Sequence, residues 1–202
     1  MDTVYSFLQK SQFIFFTDCK ALSSVLLCRM NGGNAMICYR KATLEDLETL
    51  WDHHIRENPD DPRYFRWKEQ FIRDNVSGDA ATFVIAADGN IVGEGTLLLH
   101  PGCRAIHGRT CLCDGKSTAN INALRIRKSH EGQGYISSLM RVMEQYASTQ
   151  GIQTLTIGVE AAETRNLGIY LHWGFDRFLM HEAEEGVLVL YYAKPILLNK
   201  NT

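Results

Sequence analysis

Between Leu124 and Leu139 the chain reads L-R-I-R-K-S-H-E-G-Q-G-Y-I-S-S-L: an apolar strand, a polar turn holding Gly132 and Gly134, and the start of an amphipathic helix. A strand feeding a glycine turn that opens a helix can bind an anion. The first N–H groups of such a helix have no acceptor within it, and its dipole is positive at that end. Glycine lets the main chain approach a phosphate with no side chain in the way. Pyrophosphate binding is the natural use, and ordinary strand–helix packing is the competing one. A second group of reactive side chains, His100, Cys103, His107, Cys111 and Cys113, lies in one loop. Its spacing fits no zinc motif, so no metal is expected.

The remainder of the chain bounds what these groups can serve. At 202 residues it suits one domain with a real core. Hydrophobic residues make up 45% and charged residues 22%, the net charge is −2 and the pI is near 6.4. Lys and Arg are scattered rather than striped, which argues against nucleic acid or a membrane surface as partner. No apolar run approaches the length of a membrane span. The six cysteines are unevenly spread with no secretory signal before them, so reduced thiols and a cytoplasmic location are expected. Residues 1–35 are read as a weakly ordered extension, or upstream sequence read through from an early start codon. A terminal helix docked on the domain is the alternative.

The organised pattern begins at Met36 and extends to about residue 198. Ile37 to Arg40 is a short strand. Thr43 caps a helix whose first turn carries Glu45 and Asp46, and whose buried face is Leu44, Leu47, Leu50, Trp51, His54 and Ile55. N-P-D-D-P at Asn58 to Pro62 ends it. A second helix, about Arg63 to Val76, carries Tyr64, Trp67, Phe71 and Ile72 on one stripe; core packing is the expected use, a pocket wall the other. Thr82 to Ala87 and Ile91 to Leu99 are strands hinged on D-G-N at Asp88 to Asn90, a hairpin signal. A long loop, Pro101 to Asn120, precedes the strand Ile121 to Ile126. After the glycine turn, Ile136, Leu139, Met140, Met143, Tyr146 and Ala147 mark a helix face. A strand through Leu155, Ile157 and Val159, a short helix from Thr164 to Trp173, and a hairpin of Phe175 to Met180 with Val187 to Ala193 complete the order. One α/β domain is the simplest account.

With these parts in place the chain resembles the GNAT superfamily of acetyl-CoA-dependent N-acetyltransferases. The family's cofactor motif, Arg/Gln-x-x-Gly-x-Gly/Ala opening a helix after a strand, is matched by Glu131, Gly132, Gln133, Gly134, Tyr135 and Ile136. A second signature is an Asn at the next helix start, a Tyr four residues on and then Gly-Phe; Asn166, Tyr170, Gly174 and Phe175 match it. The opening M-I-C-Y-R-K-A-T-L-E-D-L is similar to the family's first strand and helix. The resemblance runs from Met36 to about Lys194. It implies a single-domain α/β fold with a mixed, mostly antiparallel central sheet flanked by helices. The implied activity is acetyl transfer from acetyl-CoA to a primary amine of a small molecule or peptide, in a monomer or a homodimer. Two departures stand out. Glu131 replaces a basic or amide residue, and Ile136 replaces a small one. At an effective dielectric of about 20, like charges about 4 Å apart cost about 4 kcal/mol. Glu131 is therefore expected to turn aside, with Arg127, Lys128 or Gln133 supplying polar contacts.

The resemblance also distributes roles. Leu124, Arg125 and Ile126 would hold the pantetheine arm through their backbone, the turn from Glu131 to Ile136 the pyrophosphate, and Asn166 the arm by hydrogen bonding. Tyr170 is the candidate general acid toward the departing thiolate, because a phenol with a pKa near 10 still carries its proton at neutral pH. The strand before the turn offers Asn122 rather than a carboxylate. The general base is left between Glu94, flanked by Gly93 and Gly95, and Glu160 at a strand end. The rivals are a GNAT-like domain that binds coenzyme A or a partner protein without turnover and, ranked below it, a nucleotide-binding enzyme whose loop lacks Gly-Lys-Ser/Thr.

Overall fold

The structure is a computed structural model that describes residues 13–14, 26–30, 36–184 and 186–196. Nine strands among these residues form one sheet in the order β1-β2-β3-β4-β5-β6-β7-β9-β8. They are β1 (Phe13–Ile14), β2 (Leu26–Met30), β3 (Met36–Lys41), β4 (Ala80–Ala87), β5 (Asn90–Leu98), β6 (Thr118–Ile126), β7 (Thr154–Glu160), β8 (Arg177–Glu184) and β9 (Val187–Pro195). Four α-helices accompany them: α1 (Leu44–Glu57), α2 (Arg63–Ser77), α3 (Tyr135–Thr149) and α4 (Thr164–His172). The mixed, mostly antiparallel sheet flanked by helices is the fold that the family resemblance implied. β6 and β7 are its parallel pair, all other described pairings being antiparallel.

Local chemistry explains where the elements start and turn. Thr43 and Asp46 build a reciprocal capping box on α1, and Arg40 of β3 forks onto the same carboxylate. The β4–β5 hairpin turns on Asp88 and Gly89, both at positive φ (49° and 82°), the geometry that a two-residue hairpin of this hand requires. The main core lies between the sheet and α3, which buries Leu139, Met140, Val142, Met143 and Ala147. The long loop after β5 is packed rather than loose. Its Cys103, Ile106, Leu112 and Cys113 form a second apolar cluster with Leu98 and Tyr191.

Two segments of residues 1–35 are described, and both extend the sheet: β2 pairs with β3, and β1 with β2. In that register Cys28 stands opposite Cys38, and the two sulfurs are bonded. The expectation of uniformly reduced thiols is corrected here, because pairing across two antiparallel strands brings together residues whose spacing carries no disulfide signal. Cys103 and Cys113 are buried free thiols that donate to the carbonyls of Asp79 and Leu98, and Cys111 is exposed. Cys19 lies outside the described residues. No three His, Cys, Asp or Glu gather at metal-binding distance among the described residues, and no described helix is long and apolar enough to cross a membrane.

Candidate active site

The site begins where the sheet opens. β6 and β7 pair only from Thr118 with Thr154 to Ile121 with Ile157, then part company. Just beyond, β6 carries a bulge. Ala123 and Leu124 together stand opposite Gly95 of β5, and Ala123 takes φ +51°. Gly95 is close-packed there: a Cβ would lie 2.8 Å from Met143 Sδ and 2.9 Å from Leu124 Cδ1, so those side-chain ends would have to move aside. Three hollows meet on the segment from Asn122 to Arg125: a cleft toward α3 and α4, the gap between β6 and β7, and an aromatic cavity under α1 and α2.

The cleft of about 670 Å³ is floored by Leu124, Arg125 and Ile126 and walled by the glycine turn, the start of α3 and the inner side of α4. The contrast between helix starts is informative. α1 opens on a full capping box, whereas α3 opens on Gly134 at φ +74° with no side-chain cap and no acidic residue in its first turn. Its leading N–H groups stay available, and Gly132 at φ +73° leaves open space beside them. Tyr135 and Ile136 line the cleft, while the exposed side chain of Gln133 does not. Neither Arg127 nor Lys128 lines it. The nearby cation is Arg165, from the first turn of α4. It reaches the Glu131 carboxylate at 3.6 Å, and both residues border the cleft. Glu131 therefore does not turn aside but is neutralised from the opposite wall.

Tyr170 borders both the cleft and the β6–β7 gap. Its ring packs on Trp173 and Phe175, and its hydroxyl has no hydrogen-bond partner among the described residues. Burial, and after it the Glu163 carboxylate, push the phenol above its ordinary pKa, so it keeps its proton at neutral pH. Asn166 faces the cleft and donates to Glu163 at 3.1 Å. His172 is exposed at the cleft wall. The far end of α4 is fastened by Lys194 of β9, which pairs with Glu144 of α3, donates to the Trp173 carbonyl at 3.0 Å and lies over the Phe175 ring.

On the other face of β5 and β6 lies Glu94, 4% exposed, its Oε1 2.9 Å from His54 Nε2 of α1. Arg125 Nη1 comes within 3.0 Å of the same nitrogen and 3.5 Å of the carboxylate. One imidazole nitrogen cannot donate to Glu94 and accept from Arg125 at once, so the two contacts compete for its proton state. His54 borders the cavity together with Trp51, Tyr64, Trp67 and Phe71. Neither cluster was fully read from sequence. His54 was placed in the packing face of α1, and the α2 stripe was assigned to the core. Glu160 ends exposed in the β6–β7 gap, across from Glu94 in the sheet, so the two base candidates are not brought together.

The Acetyltransferase (GNAT) family model matches residues 43–175. No curated protein sequence matches the chain significantly. Among solved structures, an N-acetyltransferase from Staphylococcus aureus Mu50 shares 17% identity at TM-score 0.60, covering 82% of this chain and 100% of that one. The acetyltransferase yncA of Salmonella typhimurium, solved with its cofactor acetyl-CoA, shares 10% at TM-score 0.59 over 82% and 96%. A ribosomal-protein-alanine N-acetyltransferase from Brucella melitensis shares 16% at TM-score 0.57 over 79% and 99%. At such identities the likeness to these structures is one of fold. The family match, which spans most of the chain from α1 through α4, is what assigns it: the protein belongs to the GNAT family of acetyltransferases.

Proposed function

We propose that this chain is an N-acetyltransferase that uses acetyl-CoA to acetylate a primary amine. The observation that carries the reading is the convergence of three hollows on the β6 bulge from Asn122 to Arg125. One hollow leads to an uncapped helix start, one to a protonated phenol and one to a buried imidazole–carboxylate pair. Bound in the cleft, acetyl-CoA supplies an acetyl group activated as a thioester. The N–H groups of Gly132, Gly134, Tyr135 and Ile136 hold the diphosphate beside the positive end of α3. The backbone of Leu124, Arg125 and Ile126 and the amide of Asn166 hold the arm. Glu94 accepts Nε2–H. It orients His54, and His54 takes the proton that the amine sheds as its nitrogen bonds to the acetyl carbon. The phenol of Tyr170 donates a proton to the departing sulfur. Glu160 serves as an outer carboxylate of the gap.

Titration calorimetry with acetyl-CoA, followed by thiol release over a panel of amines, tests the proposal. Saturable binding with amine-dependent thiol release is expected. Binding without release for every acceptor would leave a coenzyme A-binding module. The departure at Glu131 carries its own expectation. If Arg165 is shared between Glu131 and the diphosphate, Glu131→Gln tightens coenzyme A about 2–5-fold and Arg165→Ala weakens it by a similar factor, as befits exposed ion pairs. Both effects fade at 1 M salt. Pantetheine, which lacks the diphosphate, should show neither.

A further inference from the structure

We infer that the acceptor is a monoamine carried on a flat, apolar body, an inference that rests on the transferase reading above. α2 presents Tyr64, Trp67 and Phe71 along one stripe, yet none of its residues is buried by the protein. Together with Trp51 of α1 these rings line the cavity. They touch in succession from the base outward. His54 and Trp51 lie 5.7 Å apart between ring centroids, Trp51 and Phe71 5.3 Å, Trp51 and Tyr64 6.4 Å, and Tyr64 and Trp67 5.0 Å. A continuous aromatic wall that starts at the proton acceptor offers stacking to whatever carries the amine. Uncovered apolar surface at that place favours a ligand with apolar surface of its own.

Charge narrows the class further. The cavity lining holds Glu94 and Asp74 against Arg125 and Arg104. Arg104 lies 4.3 Å over the Trp67 ring, and Arg63 covers the same ring at 5.0 Å. Glu94 is already matched by Arg125 and His54. Asp74 accepts from Gln70 at 2.6 Å, and burial raises its pKa. One ammonium that surrenders its proton to His54 fits this balance. A second cation on the same molecule would have to leave water beside the aromatic wall, a desolvation cost that a single ammonium bound for His54 escapes. Polyamines and lysine-rich peptides are thereby disfavoured, and amines with an aromatic or branched apolar body are favoured.

The test is thiol release at saturating acetyl-CoA with 2-phenylethylamine, tryptamine, spermidine and a lysine-containing peptide. kcat/KM for the two aromatic amines should exceed that for the other two by about 100-fold or more. Tyr64→Ala and Phe71→Ala should raise KM for the aromatic amines far more than they lower kcat. A parallel titration without acetyl-CoA follows the fluorescence of the cavity tryptophans as 2-phenylethylamine is added, and saturable quenching is expected. Efficient turnover of spermidine or the peptide with poor turnover of the aromatic amines overturns the inference and leaves the transferase intact. If no amine is acetylated, the quenching titration alone decides: saturation supports the aromatic amine site, and its absence removes it.

Discussion

Replacing His54 with alanine is expected to lower kcat by about 10²–10⁴-fold, the usual contribution of a positioned general base, while the dissociation constant of acetyl-CoA stays put. The imidazole touches the acceptor cavity and not the cleft, so its loss should spare donor binding. An imidazole accepts a proton only when it is neutral. Glu94→Gln is the gentler probe. The amide oxygen can still accept Nε2–H and hold the ring, but the charge that steadies it as it gains a proton is gone, so the rate should drop less than in the alanine variant. A fall in acetyl-CoA affinity as large as the fall in rate, in either variant, would make the pair a structural strut.

Tyr170→Phe is the second large effect. Turnover should drop by about 10²–10⁴-fold with little change in acetyl-CoA affinity, because the ring keeps its packing on Trp173 and Phe175 and only the donor oxygen is lost. The pH profile supplies a sign. A general acid works while protonated, so activity is lost as pH rises through its pKa. Burial and Glu163 raise that value, which places the alkaline limb above the ordinary phenol range near 10. Glu163→Gln removes one raising influence and should shift the limb toward lower pH. Equal loss of affinity and rate in the phenylalanine variant would mean that the hydroxyl holds structure.

What could be read in advance was local. The Thr43 cap, the Asp88-Gly89 turn, the apolar spacing of α3 and the glycines before it all depend on neighbours within a few residues, and each appears where its chemistry requires. The reactive pair was harder to see. His54 and Glu94 are 40 residues apart, and nothing in the helical spacing of α1 distinguishes an imidazole facing a carboxylate from one facing leucines. The aromatic stripe of α2 misled for a related reason. Spacing reveals which residues share a face, but not whether that face meets the sheet or a hollow. Here the stripe looks toward Cys103, Arg104 and Ala105 of the long loop, whose path no periodicity describes. Arg165 carries no signal beside the turn, because the cation that meets Glu131 comes from α4 across the cleft. The Cys28–Cys38 bond likewise depends on register between strands.

The place of β9 bears on how this molecule comes into being. β7 receives its second neighbour only from β9, and the end of α4 is pinned by Lys194, within the last described strand. A nascent polypeptide emerging from the ribosome thus exposes its glycine turn well before the hydroxyl of Tyr170 can be locked in place. The C-terminal hairpin therefore closes the sheet last, beside the gap that Tyr170 borders.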